Sequence, residues 1–163
     1  VEALAPLLAL PCIEEVGRAL CLEMGYEYPG AVSDQESFKA KVLDLQISAE
    51  NKLESFISDR STIDAWVLWQ RWQMCQAMSY DTEAFYEKTK AQALLYTDII
   101  YIPVSFAAAE DGFRWTDADY RKQIDRITRM TLYEWNLLDR TCTLTADHPA
   151  ERVKEALDWL HSR

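Results

Sequence analysis

The stretch Phe56-Ile57-Ser58-Asp59-Arg60-Ser61 sets a short apolar run directly before an acid, an arginine and a serine. A helical pattern follows without a gap. Phe56-Ile57 reads as a short buried strand ending at Ser58-Asp59. From Ser61 to Met78 the pattern is helical and carries Trp66, Trp69 and Trp72. In an open α/β sheet, ligands bind at the carboxyl ends of the strands, and Asp59, Arg60 and Ser61 stand at such an end. A carboxylate there can hold a water on Mg2+ or accept a proton from a substrate hydroxyl. The competing reading is that Asp59 or Ser61 simply caps the helix.

Toward the amino terminus the same alternation recurs. Val1 to Ala9 reads as the end of a helix, and Leu10 to Ile13 as a short strand. Glu14 to Met24 is predicted helical, with Val16, Leu20 and Met24 four residues apart. Glu15 and Arg18 therefore also lie just past a strand, on a shared helix face. Their competing reading is a surface ion pair of little worth. Gly25, Pro29 and Gly30 mark a loop. Ser33-Asp34-Gln35-Glu36 reads as a capping box, with Ser33 as cap and Glu36 reaching back. The helix behind it carries Phe38, Val42, Leu45 and Ala49 on one face and is expected to run to about Lys52.

Toward the carboxyl terminus, Asp81 caps a helix through Tyr96, and Asp98 to Val104 is rich in strand formers. Ser105 to Trp115 is a loop turning at Asp111-Gly112. A long helix is expected from Thr116 to Arg140, then a strand from Thr141 to Thr145. Pro149 opens the last helix, where its missing N–H costs nothing. Short apolar strands alternating with helices predict a parallel sheet covered on both faces. Arg114 and Arg121 flank the Asp111-Gly112 loop, and planar guanidinium forks there suit transferring phosphates. Arg126 and Arg129 read as a solvated charged face. The tryptophan stripe reads as core packing, with stacking on a ligand ring as the alternative.

Composition narrows the function classes. A length of 163 residues suits one domain. The net charge of -10 argues against a nucleic-acid partner, which needs a basic stripe. No apolar run approaches the ~20 residues of a membrane span. Cys12, Cys21, Cys75 and Cys142 form no CxxC pair, which argues against zinc and for reduced thiols in a cytosolic protein.

In their order and spacing, these motifs resemble the P-loop ATPase family that includes the ribosylnicotinamide kinase domain, often classed as an AAA domain. The resemblance rests on Glu15 and Arg18 after one strand and on Asp59-Arg60-Ser61 after the next. It extends to Asp111, Gly112, Arg114 and Arg121 in a lid. It implies one α/β domain over residues 1–163, a three-layer kinase-like parallel sheet with helices on both faces and a lid at about 105–121. The family's phosphate loop, GxxxxGK[ST], does not occur among these residues, whose four glycines are Gly17, Gly25, Gly30 and Gly112. The expectation is that the first strand and its loop stand upstream of Val1, with that strand central in the order 2-3-1-4-5.

What the resemblance implies for function is transfer of the ATP γ-phosphoryl group to a small molecule such as a nucleoside, with Mg2+. Asp59 would bind Mg2+ through water or act as base, and Arg60 would orient the acceptor or the acid. Glu15, Arg18 and Ser61 would face the acceptor, and Arg114 and Arg121 would close on the phosphates. Two alternatives stay open: an ATP-binding regulatory module without an acceptor, and a helical interaction module built on the tryptophan helix. No nucleic acid and no membrane is expected as a partner.

Overall fold

The computed structural model describes residues 1–73, 82–104 and 117–163. Two parallel strand pairs form its framework. Strand β1 (Cys12–Ile13) pairs with β2 (Ile57–Ser58), matching Cys12 to Ile57 and Ile13 to Ser58. Strand β3 (Ile99–Tyr101) pairs with β4 (Thr141–Thr143), matching Ile100 to Cys142. Helices separate them in chain order: α1 (Ala5–Leu8), α2 (Val16–Glu23), α3 (Gln35–Glu50), α4 (Thr62–Gln73), α5 (Thr82–Ala93), α6 (Ala118–Glu134) and α7 (Pro149–His161). The parallel α/β expectation therefore stands. Pro6 falls in the first turn of α1, where proline is tolerated, and Ala9 ends that helix in the left-handed region at φ 52°.

Strand alternation turns the two faces of β3 toward different cores. Ile99 and Tyr101 pack on the larger cluster, which holds Leu43, Trp66, Val67, Trp69, Phe85, Leu132, Trp135 and Leu137. Ile100 packs on a second cluster with Leu4, Cys142, Leu144 and Ala156, and Ile57 of β2 joins it there. Trp66 and Trp69 are buried, as the packing reading of the stripe expects. Trp69 stacks on Phe85 at 4.0 Å between centroids, and Trp66 meets Tyr86 edge-on at 4.9 Å.

Several boundaries differ from expectation. Asp34, not Ser33, caps α3: its carboxylate accepts the Ser37 N–H at 3.0 Å. Gln35 turns back and donates to the carbonyls of Pro29 and Val32. Of the expected stripe on α3, Phe38 is buried and Val42 and Leu45 pack beside it on a third cluster, but the helix also buries Leu43 and two polar residues outside that stripe, Gln46 and Glu50, which hydrogen-bond each other. Helix α6 stops at Glu134, six residues before the expected end, since Asn136 turns left-handed at φ 54° and a 3-10 turn follows at Leu138–Arg140. The expected cap Asp81 and the end of the tryptophan helix, 74–78, lie outside the described residues.

Asp125 ties α6 to the end of β3. It is buried and accepts hydrogen bonds from the Tyr101 hydroxyl and, at 3.1 Å, from the Val104 N–H, while pairing with Arg129. Burial and the Asp125 carboxylate push the Tyr101 hydroxyl pKa well up. Arg129 is exposed, as the solvated-face reading expects, and also has an ion partner in Asp125. Asp125→Ala leaves two inward donors unmet and is expected to cost about 2–4 kcal/mol. Urea unfolding with an unchanged m-value measures this; a loss within about 0.5 kcal/mol, the range of ordinary surface substitutions, would refute the anchor.

Glu155 closes the connection between β4 and α7. It accepts from the Thr145 N–H at 2.9 Å, the Thr145 hydroxyl at 2.8 Å and the Ala146 N–H at 3.1 Å. These bonds, the Thr145 N–H foremost, hold its pKa below the usual glutamate value of 4.5. A depressed folded-state pKa contributes stability that is complete above the unfolded value and is lost as pH falls through the folded one. Glu155→Gln should therefore lower Tm at pH 7, with the gap to the parent protein closing below about pH 4. A gap that stays constant from pH 7 to pH 3 would contradict this.

Candidate functional site

The parallel register of β1 and β2 brings their carboxyl ends side by side. The Asp59 N–H donates to the Ile13 carbonyl at 2.8 Å, which places the Asp59–Ser61 turn beside Glu14 and Glu15. Glu15 then sits between two arginines. Its Oε2 lies 3.5 Å from Arg18 Nε and its Oε1 lies 3.5 Å from Arg60 Nε. Glu15 is the least exposed of the three side chains, at 18% against 37% and 41%. Arg60 also reaches Asp64, Nη1 to Oδ1 at 3.1 Å. The Asp64 charge foremost, with Glu15 adding to it against the cost of burial, holds the Arg60 guanidinium firmly protonated.

The backbone of Arg60 is left-handed, at φ 82°. An arginine there carries strain of about 1–3 kcal/mol. The turn around it is closely held. Ser61 and Asp64 form a reciprocal capping box: the Ser61 N–H and hydroxyl donate to Asp64 Oδ2 at 2.9 and 2.8 Å, and the Asp64 N–H reaches Ser61 Oγ at 3.4 Å. The Thr62 N–H donates to the Tyr96 hydroxyl at 2.9 Å. These bonds occupy N–H groups of the first turn of α4 that would otherwise face a ligand. Of the two residues weighed as caps, Ser61 is the cap. Asp59 is exposed, and its carboxylate accepts no hydrogen bond among the described residues.

Helix α6 brings a further side chain. The Tyr120 ring lies 5.4 Å from the Arg71 guanidinium carbon. Burial raises the Tyr120 hydroxyl pKa, while the charges of Arg71 and then Arg60 pull it back, so both arginines are close enough to be felt. Arg121 follows Tyr120 in the first turns of α6 and is half-buried. Glu15, Arg18, Arg60 and Ser61 are thus gathered at one edge with Asp59 beside them, and Arg121 stands on the helix that approaches it. Arg114 and the Asp111-Gly112 turn lie outside the described residues.

Sequence reasoning missed Asp64, Arg71 and Tyr120. Asp64 carried a usable signal, since it stands three residues after Ser61 at capping-box spacing. Arg71 and Tyr120 had none, because only the packing of α4 against α6 brings them together.

The donor set bears on metal binding. Among the described residues no group of three or more His, Cys, Asp or Glu side chains is placed to hold a metal ion. Mg2+ keeps several waters and commonly takes one or two carboxylates with substrate phosphates. A lone exposed Asp59 fits that mode. Cys12, Cys21 and Cys142 are free thiols, and Cys75 lies outside the described residues. Among the described residues no helix is long and apolar enough to cross a membrane.

No curated protein and no solved structure matches the chain. A protein family does: the AAA domain family matches residues 1–151. That match covers the Glu15–Arg18 and Asp59–Ser61 segments as well as both strand pairs, and the chain belongs to the AAA domain family of nucleotide-binding P-loop domains.

Proposed function

We propose that this chain is the acceptor-side and lid-side part of an ATP-dependent small-molecule kinase, acting in the cytosol on an acceptor such as a nucleoside. The observation that carries the reading is the cluster of Glu15, Arg18, Arg60 and Asp64 at the paired carboxyl ends of β1 and β2, with the exposed Asp59 carboxylate beside it, accepting no hydrogen bond among the described residues. In an α/β sheet that end is the ligand side.

The sheet supports a further part of the reading. Among the described residues β2 pairs only with β1, and β3 only with β4. Yet Ile57 and Ile100 pack on the same cluster, and both are only partly buried. A strand between β2 and β3 would complete one parallel sheet, place β1 and β4 at its edges and put a phosphate loop beside Asp59. Helices α3 to α6 would cover one face of that three-layer arrangement, and α1 and α7 the other.

In the intact site, Mg2+ bound with ATP supplies neutralisation of phosphate charge. Asp59 would hold its water or take the proton of the acceptor hydroxyl. Arg60, fixed by Asp64 and Glu15, would orient the acceptor or Asp59. Arg18 and Glu15 would form the acceptor wall, and Ser61 would set the turn. Arg121, with Arg114, would meet the phosphates from the lid side. The interaction-module alternative finds less support, because Trp66 and Trp69 are buried in the core.

In the natural full-length protein, Asp59→Asn should leave Tm nearly unchanged and lower transfer from ATP to a nucleoside panel by about 10²–10⁴-fold. Turnover that stays at the parent level would remove Asp59 from the mechanism. ATP binding without transfer to any acceptor would favour the regulatory alternative.

A further inference from the structure

Glu50 is a carboxylate at the carboxyl end of α3 and is 2% exposed. Three donors converge on it. The Tyr96 hydroxyl and Gln46 Nε2 donate to Oε1, each at 2.8 Å, and Gln92 Nε2 donates to Oε2 at 2.9 Å. An ionised carboxylate only accepts, so it fixes the direction of every bond around it. The Tyr96 hydroxyl must therefore donate its hydrogen bond to Glu50, and its oxygen is left as an acceptor. The Thr62 N–H and the Thr62 hydroxyl, both 2.9 Å away, use that oxygen. Gln46 Nε2 has two hydrogens, and its second goes to Ser58 Oγ at 2.9 Å, leaving the Arg60 carbonyl, at 3.5 Å, as a weak shared acceptor.

The residues this network grips are Ser58, Arg60 and Thr62, which alternate with Asp59 and Ser61. The grip falls on the Ser58 side chain before the strained turn and on the Thr62 N–H after it, with Arg60 left-handed between them. A strained conformation persists only where its surroundings over-determine it. We propose that Glu50 and Tyr96 are positioning residues for the Asp59–Arg60 turn, acting through Thr62 and through Gln46. The functional half of this inference rests on the kinase reading; the structural half does not.

The experiment uses the natural full-length protein, with Tyr96→Phe, Asp59→Asn and the double variant, and Lys154→Ala, exposed on α7 and outside the network, as control. Tyr96→Phe removes one oxygen from the centre of the network. Hydrogen exchange of the segment 58–64 is read first, since it needs no activity. The proposal expects exchange there to rise by about tenfold or more in Tyr96→Phe, with Lys154→Ala leaving it unchanged. Unchanged protection of 58–64 in Tyr96→Phe would overturn the proposal, whatever the activity. ADP release from MgATP is read second. The expectation is a fall in kcat of about tenfold at nearly constant KM for ATP, and no further fall when Tyr96→Phe is added to Asp59→Asn. Losses that multiply in the double variant would overturn the positioning role. Absence of ADP release from the parent protein would count against the kinase reading alone, and hydrogen exchange would then decide the structural half.

Discussion

A carboxylate shut away from water must be met by donors, and most of this fold's polar order follows from how Glu50 is met. Its partners come from the inner turns of α3, from α5 and from the residue that ends the α5 segment, Tyr96. Through Tyr96 the same network caps α4. Arg140 then seals the far side, donating to the carbonyls of Leu94 and Tyr96 at 3.0 and 2.7 Å just before β4 begins. One buried charge therefore sets the relation of three helices and the turn that leaves β2. Burial pushes the Tyr96 hydroxyl pKa well up, and the neighbouring Glu50 charge pushes it further. Tyr96 consequently stays a proton donor over the range in which proteins are folded.

The Glu15–Arg60 pair shows the same logic at the surface. Exposed ion pairs add little stability, and Arg60 at φ 82° is a conformation better suited to glycine. A strained arginine kept beside two carboxylates makes poor sense as a stabilising device. It makes sense as a guanidinium held in one place at the ligand side of a parallel sheet. Strain at such a point is an observation that points toward function rather than away from it.

Much of this was legible in the sequence. Phe56-Ile57 before Asp59-Arg60-Ser61 gave the strand, the turn and the helix in order, and Pro149 marked the start of α7 correctly. The neighbours Glu15 and Arg18 were placed past β1 by the same reasoning. The inward face of α3 was not legible, because Gln46 and Glu50 look like solvent-facing residues until their partners from β2 and α5 are known. Leu43, three residues before Gln46, is buried on the same side and stands outside the Phe38, Val42, Leu45 and Ala49 stripe. The cap at Asp34 was missed by one residue, since Ser33 and Asp34 are equally able to accept an N–H. The early end of α6 depends on Asn136 adopting a left-handed backbone, which asparagine permits but does not require. Asp125 was invisible for the same reason as Glu50: its partners, Tyr101 at the end of β3 and Val104 just beyond it, lie more than twenty residues away.

The central claim is that the ligand side of this AAA domain is the edge where β1 and β2 end. The most direct measurement is amide hydrogen exchange of the natural full-length protein with and without MgATP. The account predicts added protection at 58–62 and in the first turns of α6 near Tyr120, with none at Leu10–Cys12 or at Asp98, where the strands begin. Protection confined to those strand beginnings, or no change at 58–62 under saturating MgATP, would contradict it.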